Sequence, residues 1–355
     1  MFAPDYHNIV QAAGNRTPAR VPLYDHIVSD AVMEKILGVK FAQYLDGPEK
    51  DLDRYFAHYC GFFRQMGYDT VSFERSVGRI LPNGGALRHH SPPAITNRKS
   101  FENYPWDQME ELYFDAFGPL FAALGRNMPA GMKAVGGIGY GVFECTQELT
   151  GYEGLCYIRY DDEELYQAIF QKVGDMLAAL WKRFLREYGD IYCVCRFGDD
   201  LGFKSSTLID SQDIRGFILP QYKRIVDMVH AAGKPFLLHS CGNIFDVMED
   251  LIETVGIDAK HSNEEQIAPF PEWVERYGGR IGNFGGVDTD ILCQKSPEYI
   301  RQFTLDVIRS CEGHGGFAIG SGNSIPDYVP AQGYLAMNRA VREYRGDLDE
   351  TTQNG

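Results

Sequence analysis

The stretch "AAGKPFLLHSCGNIFDVMEDL" (residues 231–251) holds the reading that decides the fold. An apolar run, Phe236 to Leu238, ends in His239 and Cys241; Gly242 follows, and apolar residues then return at three-to-four spacing. A short apolar run followed by that spacing is a strand handing over to a helix. In a strand, residues two apart face the same side, so His239 and Cys241 would point at one place where the strand gives out. Imidazole nitrogen and thiolate are preferred donors to Zn²⁺. Two such residues packed into a core are the ordinary alternative, and the pair alone does not choose.

The same alternation repeats outward in both directions. Candidate strands are "RVPLY" (20–24), "DTVSFE" (69–74), "KAVGGIG" (133–139), "IYCVCRFG" (191–198), "KPFLLHSC" (234–241), "IDAKHS" (257–262), "RIGNFGG" (280–286) and "GFAIGSG" (316–322). Amphipathic patterns lie between most of them. In residues 162–189 an apolar stripe runs through Leu165, Ile169, Val173, Met176, Leu177 and Leu180. In residues 211–233, Ser211 is placed to cap a helix, Pro220 to interrupt it and Gly233 to stop it. Eight strands alternating with helices predict an α/β fold, a (β/α)8 TIM barrel. Extra helices surround the first strand (residues 1–68), and a long Pro-rich insertion (75–132) after the second reads as a lid. Residues 1–345 read as one domain and 346–355 as a flexible tail. A dinucleotide-binding fold is disfavoured, because "GGIGYG" (136–141) has the glycines without the register.

Composition narrows the partners. The 355 residues carry a net charge of −15, which disfavours nucleic acid and anionic membrane surfaces as partners. The sequence shows no signal peptide and no apolar run long enough to span a bilayer, so a cytoplasmic protein is expected. Its eight cysteines are scattered, as expected of reduced thiols rather than a disulfide framework. A homodimer is one assembly that the sequence allows.

In a TIM barrel the chemistry collects where the strands end. Nearly every candidate strand here ends in polar residues: Tyr24, Asp25 and His26; Glu74 and Arg75; Tyr140 and Glu144; Arg196, Asp199 and Asp200; His261, Asn263, Glu264 and Glu265; Asp288; Ser321 and Asn323. Glu144, Asp199 and Asp200 are candidate catalytic groups, able to bind a hydroxyl or relay a proton, or else they cap the helices that follow. Arg196 is placed to clamp a substrate carboxylate or to pair with an aspartate. Tyr24, Tyr140 and Phe203 could stack on an aromatic ring. His261, Ser321 and Asn323 complete the expected substrate-binding set.

The segments at 94–106 ("AITNRKSFENYPW"), 141–158 ("GVFECTQELTGYEGLCYI"), 196–244 ("RFGDDLGFKSS…LLHSCGNI") and 285–300 ("GGVDTDILCQKSPEYI") resemble the uroporphyrinogen decarboxylase superfamily. The resemblance covers about residues 18–345 and implies a (β/α)8 barrel. One branch of that superfamily decarboxylates tetrapyrroles, gripping their acetates with an N-terminal arginine pair. The corresponding "RVPLYDHIVSD" (20–30) has no such pair. The other branch comprises zinc-dependent methyltransferases serving a corrinoid (B12) carried on a separate protein. The resemblance implies His239 and Cys241 as zinc ligands. Where relatives supply a downstream cysteine, "AIGSGNSIPDYVP" (318–330) has none. Glu264 falls where methionine-synthase-like relatives place a carboxylate ligand, with Glu265 in reserve.

The expected function is therefore zinc-dependent methyl transfer between a small substrate and a corrinoid on a partner protein. Methoxylated aromatics and other O- or N-methyl donors are candidate substrates. A decarboxylase-type lyase and a non-catalytic ligand-binding barrel are the alternatives.

Overall fold

The computed structural model describes residues 2–348. Seven parallel strands form its centre: β1 (Thr70–Ser76), β2 (Lys133–Gly139), β3 (Tyr192–Gly198), β4 (Phe236–His239), β5 (Ala259–His261), β6 (Gly282–Val287) and β7 (Phe317–Ser321), hydrogen-bonded in chain order. Helices separate them, as parallel pairing demands. The architecture is a TIM-type barrel with extra N-terminal helices and a long segment between β1 and β2.

One expectation needs correction. Residues 20–24 form no regular strand but a single parallel bridge, Leu23 to Ile319. Tyr24 N donates to Ile319 O at 2.9 Å and Ile319 N to Pro22 O at 3.0 Å. Pro22 has no N–H to extend the ladder. On the other side, Ser72 Oγ of β1 donates to His26 O at 2.6 Å. The segment thus fills the eighth stave between β7 and β1 with few ladder bonds of its own. The 75–132 segment also differs from a pure insertion, because Met109–Arg126 is the helix returning the chain from β1 to β2.

The long helix is Glu163–Tyr188, with Asp162 accepting from Leu165 N at its start and the expected apolar stripe buried. Ser211 proves to be inside its helix; Asp210 is the cap, accepting from Gln212 N at 2.7 Å. Residues Ile214–Ile218 widen into i→i+5 turns just before Pro220, where the ring cannot accept a tighter helix. Gly233 takes the left-handed conformation (φ 70°) expected of a stop.

Two hydrophobic layers build the core. The larger lies between the strands and the outer helices. The smaller fills the barrel, where Val135, Val194, Leu237, Ala259, Phe284 and Ala318 meet Ile9, Ala12 and Ala13 of helix His7–Ala13. That helix packs on β3, β6 and β7 and plugs the N-terminal end. Polar residues cluster at the other end. Among the described residues no helix is long and apolar enough to cross a membrane, and all eight cysteines are free thiols. Of the expected tail, Gly346 caps the last helix and Asp347 pairs with Arg345 at 2.6 Å, while 349–355 lie outside the described residues.

Candidate metal and catalytic site

His239 is the last residue of β4, and Cys241 sits in the loop two residues on. Their side chains converge, with Cys241 Sγ 3.4 Å from His239 Nε2. The loop is fixed by its neighbour: Gly202 N donates to Cys241 O at 3.2 Å and Asn243 N to Phe203 O at 2.7 Å. Only glycine fits at 242, where φ is +81° and a Cβ would lie 2.1 Å from the Gly202 carbonyl carbon. Asn323 Nδ2 and Ser262 Oγ point at the same sulfur, 3.3 and 3.6 Å away.

A chain of hydrogen bonds sets the tautomer of His239. His261 Nε2 lies 3.1 Å from Ser321 O, a pure acceptor, so that nitrogen carries the proton. Burial pushes the His261 pKa down to about 3, so the ring is neutral and its Nδ1 is bare. That Nδ1 lies 2.7 Å from His239 Nδ1, which must therefore be the donor. His239 is also held neutral, first by burial and then by His261, Arg196 and Lys260. Its Nε2 is left with a free lone pair aimed at Cys241, the state a metal requires.

Asp200 completes the group. Its Oδ1 is 3.8 Å from His239 Nε2 and accepts from Cys241 N at 2.9 Å. Tetrahedral zinc with ordinary bond lengths keeps nitrogen and sulfur about 3.5 Å apart. The 3.4 Å separation of Nε2 and Sγ matches this, and His239, Cys241 and Asp200 all lie within 4.8 Å of one another. Asp200 is 42% exposed, so the side facing the mouth is open. Glu264 is placed differently, its Oε1 accepting from Gly242 N at 3.2 Å, behind the sulfur's loop. A second triad of donors, His26, His239 and His261, shares the same imidazole.

Gly198, at the end of β3, leaves a cradle. A Cβ there would meet His239 Cδ2 at 3.3 Å, His26 Nε2 at 3.8 Å and Glu144 Oε2 at 3.9 Å. Glu144 thus faces the imidazoles across a space that any larger residue would fill. Its carboxyl is pushed far above its ordinary value by burial, with the charges of Asp200 and Asp199 adding. Asp199 holds Glu144 in place, accepting from Phe143 N at 2.8 Å and Glu144 N at 2.7 Å, with Tyr222 OH as a third donor. Burial raises Asp199 to about 7. The helix-capping reading of Asp199 therefore describes its contacts, while Glu144 faces the cradle and Asp200 the His239–Cys241 pair.

Beneath these groups Arg196 is fully buried. It pairs with Glu74 at 2.8 Å and donates to Tyr24 OH at 2.7 Å and Ser72 Oγ at 2.8 Å. Its ligands are internal, so it is not free to clamp a substrate. Tyr24 is buried edge-on to His261 and Phe284. Tyr140, with φ 73°, lies under the Arg88 guanidinium at 4.2 Å. Ser321 is spent on Asp25, donating from both N and Oγ at 2.8 and 2.7 Å. Phe203 is 60% exposed at the rim. His26, placed at a strand end in the sequence but given no role there, belongs to the site. Its ring stacks on His239, and its signal was present as an imidazole directly after the first stave.

The family model for uroporphyrinogen decarboxylase (URO-D) matches residues 93–344, and the chain belongs to that family. Among solved structures it is similar to a methyltransferase from Methanosarcina mazei (TM-score 0.70, 13% identity, 95% of this chain and 98% of that one). It is also similar to a candidate vitamin-B12-independent methionine synthase from Listeria monocytogenes (TM-score 0.50, 12% identity, 99% and 100% covered). At these identities the likeness is one of fold. Among curated proteins none matches this sequence.

Proposed function

We propose that this chain is a zinc-dependent methyltransferase, moving a methyl group from the oxygen or nitrogen of a small substrate to a corrinoid on a separate protein. The observation that carries the reading is the bare Nε2 of His239 set 3.4 Å from Cys241 Sγ at the open end of the barrel. His239, Cys241 and Asp200 would hold the ion, leaving one position free as a catalytic site needs. Glu264, expected as the third ligand, is instead assigned to bracing the loop. When bound, the ion supplies Lewis acidity toward the substrate's heteroatom.

The chain's own residues do the rest. His261 fixes the His239 tautomer, and His26 packs the ring in place. Burial and the neighbouring carboxylates raise the Glu144 pKa, which favours its protonated form, and it faces the cradle, where a leaving oxygen needs a proton. Asp199 positions Glu144 through the backbone of the following helix. The two similar folds, one described as a methyltransferase and the other as a candidate vitamin-B12-independent methionine synthase, support methyl transfer in general. We place the reaction in the cytoplasm, in keeping with the acidic, thiol-bearing chain.

The test combines metal analysis with turnover. Untagged protein should contain about one zinc, lost in His239→Ala and Cys241→Ser. Zinc-loaded protein should methylate reduced cobalamin from a methoxylated aromatic. Turnover that persists after the zinc is stripped would defeat the proposal. So would release of CO2 from a porphyrinogen, which would favour a lyase, or zinc-loaded protein inert toward every O- and N-methyl donor.

A further inference from the structure

A cavity of about 260 Å³ lies between residues 27–30, helix Glu49–Gln65 and β1, and nothing in the reaction described so far uses it. Its wall includes Glu74, whose Oε1 is 3.8 Å from His26 Nε2, so one end abuts the imidazole stack. Ile27, Val28, Leu45, Tyr55, Tyr59 and Phe73 give it an apolar and aromatic belly. Three guanidiniums, of Arg75, Arg79 and Arg88, line the rest.

The two acids in this wall are already engaged. Glu74 accepts from Arg196 at 2.8 and 3.0 Å, and the Asp30 carboxylate accepts from Tyr55 OH at 2.9 Å. Arg88 is partly spent, lying over Tyr140 and 3.6 Å from Glu148. Arg75 is not. Its Nε and Nη2 are both buried and have no hydrogen-bond partner, and its planar head rests on the Phe73 ring at 4.8 Å. Leaving charged N–H groups dry and unpaired is costly. Burial lowers the Arg79 pKa, and the facing charges of Arg75 and Arg88 lower it further. The neighbouring acids, Asp30, Glu74 and Asp46, leave the buried Nε and Nη2 of Arg75 without a hydrogen-bond partner.

We propose that the methyl-bearing substrate is a compact carboxylate whose anionic end is taken by Arg75, with Arg79 and Arg88 beside it, and whose methyl end reaches the His239–Cys241 site. The guanidinium fork matches a carboxylate bidentately. The aromatic belly suits a ring between the two ends, and the small volume suits one ring rather than a tetrapyrrole. A doubly charged phosphate fits less well, because Asp30 and Glu74 stand in the same wall. This inference rests on the methyl-transfer reading for its orientation but not for its binding chemistry.

Titration calorimetry on full-length, chelator-stripped protein separates the two. The probes are 4-methoxybenzoate and its uncharged counterpart 4-methoxybenzamide. The acid should bind about tenfold or more tightly than the amide, as expected for a charge-assisted pair. Arg75→Gln and Arg79→Gln should each erase most of that preference. Thermal melting shows whether Arg75→Gln is folded; the exposed Arg79 carries the test if it is not. Equal affinity for acid and amide would overturn the inference, as would a preference that survives both substitutions. A preference seen only with zinc present would place the carboxylate on the ion and also overturn it. Phenyl phosphate binding more tightly than the acid would reassign the cavity. Binding without turnover counts against methyl transfer alone, and turnover without acid preference counts against this inference alone.

Discussion

His26 lies flat against His239, with ring centroids 3.8 Å apart and planes 12° from parallel. Together with the His261 contact on Nδ1, this leaves the His239 ring almost no freedom to turn. Its lone pair is held toward Cys241 before any ion arrives. Outer partners of this kind typically contribute 10–100-fold to metal affinity.

Replacing His261 by leucine removes the acceptor that fixes the His239 tautomer. Zinc affinity, measured by competition with a chromogenic chelator, should fall roughly 10–100-fold. His26→Ala should act in the same direction through loss of the stack. Asp200→Asn should weaken zinc at least as much as either, whereas Glu264→Gln should leave it nearly unchanged. The reverse ranking of Asp200 and Glu264 would return the ligand role to Glu264.

The Arg196–Glu74 pair gives a stability prediction. Arg196→Met removes the hydrogen-bonded partner of the largely buried Glu74 carboxylate, and urea unfolding should show a loss of about 3–5 kcal/mol. Arg196→Met combined with Glu74→Met removes both charges and should recover most of it. If the double variant is as unstable as the single, the bonds from Arg196 to Tyr24 and Ser72 matter more than its charge.

Asp25 gives the pH dependence. Burial raises its pKa to about 6, against the partly offsetting donors Tyr68 and Ser321. Between about 4 and 6 the folded state keeps a proton that the unfolded state has lost. This contribution is therefore fully present at low pH and disappears as pH rises through about 6. The shift from 3.8 corresponds to at most about 3 kcal/mol, at 1.36 kcal/mol per pH unit. Asp25→Asn, which cannot ionise, should flatten the fall in stability across that window in denaturant titrations at a series of pH values. Identical slopes for the two proteins would rule Asp25 out.

Gly242→Ala places a methyl group against the Gly202 backbone at a positive φ. It should cost about 2–4 kcal/mol and reduce zinc affinity by moving Cys241. Gly233→Ala, also at positive φ but with open space around it, should cost only about 1 kcal/mol and leave the metal alone.

Much of this could be read from the chain. The alternation of strand and helix patterns is enough for a barrel, and His239 and Cys241 declare themselves by type and spacing. Helix Glu163–Tyr188 follows its apolar stripe to within a residue at either end. Other features depend on pairing across the barrel. The Leu23 bridge looked like a strand, because propensity does not show that Pro22 interrupts the ladder. The histidine stack joins residues 26, 239 and 261, which no local pattern relates. Between clamping a substrate and pairing with an acid, Arg196 could not be assigned from sequence because its partner Glu74 lies 122 residues away. Ser321 read as a mouth residue, and only the structure shows its hydroxyl turned to Asp25.

The stopper formed by residues 7–13 imposes traffic rules. With that end shut, everything that enters or leaves must use the opposite opening. In the proposed reaction, a bulky carrier protein seated there would bar small molecules from passing, so the substrate would have to enter first and its product leave after the carrier. Under the proposed reaction, excess carrier should slow turnover by covering that opening.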